Sequence, residues 1–80
     1  MELKETVKLM TSKDYKERFK AEYFQLRIRV EKLRKIIREY GDGTLSFKPT
    51  VDKTLLLNQL EHMERYLAIL RMRSIIENVF

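Results

Sequence analysis

Between Phe19 and Tyr40 the apolar residues fall at Phe19, Tyr23, Leu26, Val30, Leu33, Ile37 and Tyr40, at alternating spacings of four and three. An α-helix turns once in about 3.6 residues, so this rhythm lines the side chains along one seam, which must press against another helix. Leu56, Leu60, Met63, Leu67 and Leu70 repeat the alternation and supply the mate. The pattern predicts two long helices, about 12–40 and 52–78, joined by a loop over 41–51 in an antiparallel hairpin. Leu3, Val7 and Met10 follow the same spacing and predict a short amphipathic helix in residues 1–10, ahead of the hairpin of residues 11–80. Isolated helices below about 12 residues rarely hold in water, so this one must dock on the hairpin or run on into its first helix.

The punctuation fits these bounds. Thr11 with Asp14 reads as a helix start, with Met10 as a hydrophobic staple. Arg34, Lys35 and Arg38 crowd the end of the first long helix, where cations oppose the helix dipole, and Gly41 is placed to close it in the left-handed conformation. Leu45, Phe47 and Val51 are expected to fold back over the end of the hairpin core. After Pro49, Thr50 or Asp52 caps the second helix.

The seams leave apolar residues over. Ala21, Phe24 and Ile28 form a second row on the first helix. Beyond Leu70 the seam position passes to Ser74, while Ile69, Met72, Ile76 and Val79 form a displaced row. With Tyr66, Ala68, Ile75 and Phe80 added, the last third of the second helix is apolar around most of its circumference, which demands burial all round. The predicted fold is therefore all-α: a two-helix hairpin with a short N-terminal helix, assembled into a helical-bundle dimer or higher closed homo-oligomer. The expected interface residues are Phe24, Ile28, Ile69, Met72, Ile76, Val79 and Phe80.

Composition narrows the chemistry. Eighty residues make one small domain, and the absence of cysteine removes disulfides and thiolate metal sites. No apolar run approaches the roughly 18 residues needed to span a bilayer, and the start Met-Glu-Leu-Lys-Glu-Thr lacks a signal-peptide pattern. A cytoplasmic protein without a membrane partner is expected. The single histidine, His62, has Gln59 rather than a glutamate three residues before it, so the bundle-type metal motif is not formed. Ser12, Ser46 and Ser74 lack a nucleophile–base set, and Gly41-Asp42-Gly43 follows a helix instead of opening one. The expectation is a non-enzymatic protein with no cofactor and no metal.

The formal net charge of +5 is concentrated: residues 11–40 hold ten Lys/Arg against five Asp/Glu, and the remainder balances. This excess is either a solvated helix face or the footprint of an anion. Lys20, Arg27 and Arg34 recur every seven residues beside the seam, with Arg38 one turn on and Arg29 on the opposite flank. The second helix adds Arg65, Arg71 and Arg73, with Tyr66 nearby. Two readings stay open. These arginines pair with Glu22, Glu31, Glu39, Glu61, Glu64 and Glu77, or they clamp phosphates while an aromatic ring stacks on a base. On the second reading the ligand residues are Arg27, Arg34, Arg71, Arg73 and Tyr66.

The run Thr11-Ser12-Lys13-Asp14-Tyr15-Lys16-Glu17-Arg18-Phe19-Lys20-Ala21-Glu22-Tyr23, then Gln25-Leu26-Arg27-Ile28-Arg29, and later Tyr66-Leu67-Ala68-Ile69-Leu70 with Arg73, resembles a group of short helical-hairpin proteins of phages and prophages of gut Firmicutes. The resemblance covers about Met10 to Glu77 and carries no catalytic motif. Met10-Thr11-Ser12 resembles the usual beginning of such proteins, which marks the first nine residues as an extension. The resemblance implies a small viral accessory protein that acts by binding. The leading expectation is an anti-defence protein that sequesters an anionic immune signalling nucleotide between protomers. The alternative is an inhibitor docking on a host defence protein such as a nuclease effector. The third is a nucleic-acid-binding bundle, disfavoured by the acids interleaved on the basic helix and by the lack of a helix-turn-helix spacing. The positive balance argues against a DNA mimic, which needs acidic surfaces.

Overall fold

A computed structural model describes all of residues 1–80 and is entirely helical. A 3-10 turn, Leu3–Thr6, runs into a one-turn helix α1 (Val7–Met10), followed by the long helices α2 (Tyr15–Asp42) and α3 (Lys53–Ile76). Helices α2 and α3 lie side by side and antiparallel: Tyr15 meets Glu77, Tyr23 meets Arg71 and Arg34 meets Glu64. The molecule is a flat rod of 43 × 24 × 16 Å.

The core is the seam. Phe19, Leu26, Val30, Leu33 and Ile37 of α2 are buried, and so are Leu67 and Leu70 of α3, with Tyr23, Leu60 and Met63 packed against them. Ser74, at the next seam position, is buried too; its hydroxyl donates to the Arg71 carbonyl at 2.6 Å, so no polar atom is stranded there.

The helix ends correct several expectations. Asp14, not Thr11, caps α2, its carboxylate accepting from the Lys16 N–H at 3.0 Å. The Thr11 hydroxyl instead donates back to the Val7 carbonyl at 3.0 Å and closes α1, and Met10 lies too far ahead of the Asp14 cap to staple it. Asp52 caps α3 through the Thr54 N–H. Gly41 is inside α2, and the left-handed residue is Gly43, with φ of 74°, whose following Thr44 N–H returns to the Glu39 carbonyl. Phe47 and Val51 are exposed and do not plug the hairpin end. These positions make a contrasted prediction. Gly43→Ala forces a Cβ into the left-handed region and costs about 1–2 kcal/mol. Gly41→Ala in the helix interior gains about 0.5–1 kcal/mol, with only the flexible end of Lys53 to move aside. Thermal denaturation of the two variants shows opposite signs.

The largest departure is at the C-terminal end. α3 stops at Ile76, and Asn78 takes the left-handed conformation with φ of 54°. The Val79 N–H then donates to the Ser74 carbonyl and the Asn78 N–H to the Ile75 carbonyl, a Schellman closure that turns the chain back. Val79, expected at an interface, thereby enters the protomer's own core at 7% exposure. Phe80 lands on Tyr23 and Phe24.

The second row of α2 also has partners inside the chain. The N-terminal segment packs on α2: the Gln25 amide donates to the Thr6 hydroxyl at 2.9 Å, and Thr6 is fully buried. Ala21, one turn before Gln25, is 1% exposed, while Phe24 and Ile28 are half-buried beside Phe80 and Leu3 respectively. Phe24 and Ile28 thus have neighbours inside the chain while keeping part of their surface open. What stays uncovered is the outer face of α3, where Ile69, Met72, Ile75 and Ile76 are all exposed.

Candidate functional site

The seam divides the antiparallel pair into two polar edges, and the five ligand residues expected from the sequence are split between them. On one edge Tyr66 donates to the Glu22 carboxylate, and Tyr15 donates to Glu77. Arg73 reaches Glu77 at 3.2 Å and the Tyr15 hydroxyl at 3.4 Å, with its guanidinium 4.8 Å above the centre of the Phe19 ring. Every member of this network has a partner. The Tyr15 hydroxyl and the Arg73 guanidinium hold the Glu77 carboxyl below its ordinary value, and the same Tyr15 and Glu77 contacts raise Arg73. Donation to Glu22 raises the Tyr66 phenol. Arg73 and Tyr66 therefore tie α2 to α3.

Because Glu77 is depressed in the folded chain, its contribution is complete above its ordinary value of 4.5 and fades as the pH falls through the lower folded value. Acid titration is expected to loosen this edge first. Tyrosine resonances of Tyr15 should move with that transition, and Tyr15→Phe should weaken the pH dependence. Tyr66 has the opposite sign, its contribution being lost only as the pH rises through its elevated folded value.

The other edge is cationic and aromatic. Seven-residue spacing on α2 sets Lys20, Arg27 and Arg34 along it, and α3 contributes Arg71. The Asn78 turn carries Phe80 onto Tyr23 and Phe24, and the three rings sit 5.2 to 5.7 Å apart in edge and tilted contacts. Lys20 lies 5.8 Å from the centre of the Phe80 ring, and the Arg71 Nε donates to the Tyr23 hydroxyl at 3.4 Å. Neither cation has a carboxylate within ion-pair distance. Arg27 pairs with Glu31 of its own helix at 3.2 Å, both half-exposed, and such a pair is weak in water. Arg34, farther along, is engaged across the helices by Glu64 at 3.2 Å.

Of the six glutamates offered as arginine partners, Glu31, Glu61, Glu64 and Glu77 make ion pairs, and Glu22 is taken by Tyr66. Pairing thus accounts for Arg27, Arg34, Arg65 and Arg73 and leaves Lys20, Arg29, Arg38 and Arg71 without anions. Beside Lys20 and Arg71 a recess of about 130 Å³ is lined by Met1, Phe24, Arg27, Ile28 and Glu31, and a shallow cleft of about 370 Å³ by Met1 to Lys4 with Ile28 and Lys32. Aromatic faces and unpaired cations in one place are the elements that stack a base and neutralise a phosphate. Sequence reasoning placed Lys20 in the basic row but missed it as a site residue, and it assigned Tyr23 to the seam and Phe24 and Phe80 to an interface. Asn78 ahead of an apolar pair is the signal that could have placed Phe80.

Fold and edge together define a small all-α protein whose two long helices carry a cationic, aromatic margin. Within that class a family model described as Sequestin matches residues 13–75. The chain belongs to the Sequestin family. The matched span holds α2 and nearly all of α3 and omits the N-terminal segment and the turn that carries Phe80. No curated protein and no solved structure matches the chain. No helix is long and apolar enough to cross a membrane.

Proposed function

We propose that this protein is a non-enzymatic sequestering protein of the phage anti-defence type, acting in the host cell cytoplasm. Its ligand is an anionic immune signalling nucleotide, held in pockets between protomers. The observation that carries the reading is the edge where Tyr23, Phe24 and Phe80 meet Lys20, Arg71 and the weakly engaged Arg27. The rings offer stacking surface and the cations offer phosphate contacts, while the recess of about 130 Å³ is below the roughly 300–1,000 Å³ of ligand pockets and the cleft of about 370 Å³ is shallow and lined by none of the three rings. A second protomer would supply the remaining wall. The family name fits a protein that acts by sequestering, and the likeness to short phage proteins supports the viral setting.

A second reading draws on the exposed apolar face of α3, which suits direct docking on a host defence protein. The two are separated by denaturing protein purified from cells with active nucleotide signalling and identifying what is released by mass spectrometry. Release of a cyclic di- or oligonucleotide in near-stoichiometric amount is the expected result. No nucleotide, with a defined host protein retained, would establish the inhibitor instead.

A further inference from the structure

The cationic edge is not a continuous strip of charge. Lys20, Arg27, Arg34 and Arg38 follow one another along one flank of α2, and α3 adds Arg71. From Lys20 to Arg38 the row spans about 27 Å at 1.5 Å per residue. Over that length the flank holds two carboxylates, Glu31 and Glu64. Glu22 lies on the opposite edge with Tyr66, and Glu61 lies on the outer face of α3 with Arg65. Glu31 and Glu64 each stand 3.2 Å from an arginine, the first one turn along from Arg27 and the second across the helix pair from Arg34. Both pairs are half-exposed, so neither adds much to stability. Their place on the edge matters more. They neutralise its middle and separate Arg38 from the end where Lys20 and Arg71 flank Tyr23, Phe24 and Phe80.

Cations beside aromatic rings bind any single-stranded nucleic acid through phosphate contacts and stacking, with little regard to sequence. A protein that captures a compact anion with the same elements must discriminate against the polyanions of the cell. Discrimination is a difference of affinities, raised as much by charges that repel the wrong partner as by contacts to the right one. We infer that Glu31 and Glu64 are the specificity-determining residues of this edge: they exclude extended polyanions and admit an anion short enough to sit at the Lys20 and Arg71 end. A compact ligand there meets at most the pair of Arg27 with Glu31. A phosphate chain laid along the edge must displace both carboxylates from their arginines and then run past two negative charges. The inference deepens the proposed site and rests on that reading only for the ligand admitted, since the exclusion is measured with a polyanion alone.

The probe is a fluorescent single-stranded oligothymidylate long enough to span the edge, titrated by anisotropy from about 50 to 200 mM salt. Unmodified protein should bind it weakly. The double variant Glu31→Gln with Glu64→Gln frees two arginines and should keep its helical circular dichroism. It should bind about tenfold tighter or more near 0.1 M salt, with a log–log salt slope steeper by about 1.4, or about 0.7 for each added phosphate contact. Each single exchange should give about half that change in slope. Glu5→Gln with Glu61→Gln makes the same change in net charge away from the edge. That control should stay within about threefold of unmodified protein, because salt screens charges beyond about 10 Å. An equal gain in the control overturns the inference, as does a double variant with unchanged slope or an unmodified chain that binds the strand just as tightly. A gain confined to the edge variants, in a protein that binds no nucleotide, would sustain the exclusion while removing the sequestering reading.

Discussion

Leu70→Ala is expected to cost about 2–5 kcal/mol, the range for deleting a buried leucine side chain without collapse of the cavity. Leu70 is fully buried where Val30, Leu26, Leu67 and Val79 converge, and the core holds only nine buried apolar residues, so few neighbours can move in to fill the space. At roughly 0.05–0.15 kcal/mol per residue an 80-residue chain has about 4–12 kcal/mol in total, so this one change removes a large share of it. Leu55→Ala, at an exposed position of the same helix, should stay within about 0.5 kcal/mol. Urea denaturation checks both: the midpoint should fall steeply for Leu70→Ala at unchanged slope and hardly move for Leu55→Ala.

The second large effect concerns ligand affinity. Hydrogen bonds to charged groups contribute about 1.5–3 kcal/mol each, which is roughly 10- to 100-fold in affinity. Arg71→Ala and Arg27→Ala should each weaken binding of an anionic nucleotide to that extent. Phe80→Ala should weaken it through lost stacking, worth about 1–3 kcal/mol per base. Arg73→Ala belongs to the opposite edge, where the guanidinium holds Glu77, Tyr15 and Phe19. It should lower the melting temperature and leave the affinity nearly unchanged. Equal losses for Arg71→Ala and Arg73→Ala would contradict the division of the arginines between two edges.

That division shows where the sequence was legible and where it was not. The four-three spacing from Phe19 to Tyr40 and from Leu56 to Leu70 determined both seams, because burial on one helix face is a local, periodic property of the chain. It placed Lys20, Arg27 and Arg34 beside the seam for the same reason. The same periodicity sets Arg71 and Arg73 on opposite flanks of α3, and antiparallel docking of the two seams turns the Arg71 flank toward Lys20, Arg27 and Arg34 and the Arg73 and Tyr66 flank away from them. Grouping all five residues into one site treated each helix by itself and left out this step.

The remaining misses have one cause, chain segments that return to the pair and cover what the helices leave open. Periodicity predicted that Phe24 and Ile28 need a second molecule, but Leu3 and Thr6 of the N-terminal turn and Phe80 beyond the Asn78 reversal lie beside them. Val79, just past the expected helix end at about 78, was placed in the displaced row with Ile76 because nothing in its spacing announced the left-handed residue before it. Gly41 and Gly43 were two residues apart, and only backbone geometry distinguishes the helical one from the one that ends the helix. Ile69, Met72 and Ile76 remain where the sequence put them, on a face that the chain does not cover.

The edge of Lys20, Tyr23, Arg71 and Phe80 is proposed to hold an anionic nucleotide. Calorimetric titration of the whole chain with cyclic di- and oligonucleotides near physiological salt tests this most directly. Saturable binding of at least one of them is expected, with melting stabilised by about 2.7 kcal/mol at 100 times the dissociation constant. Absence of heat and of stabilisation with every nucleotide in the series would contradict it.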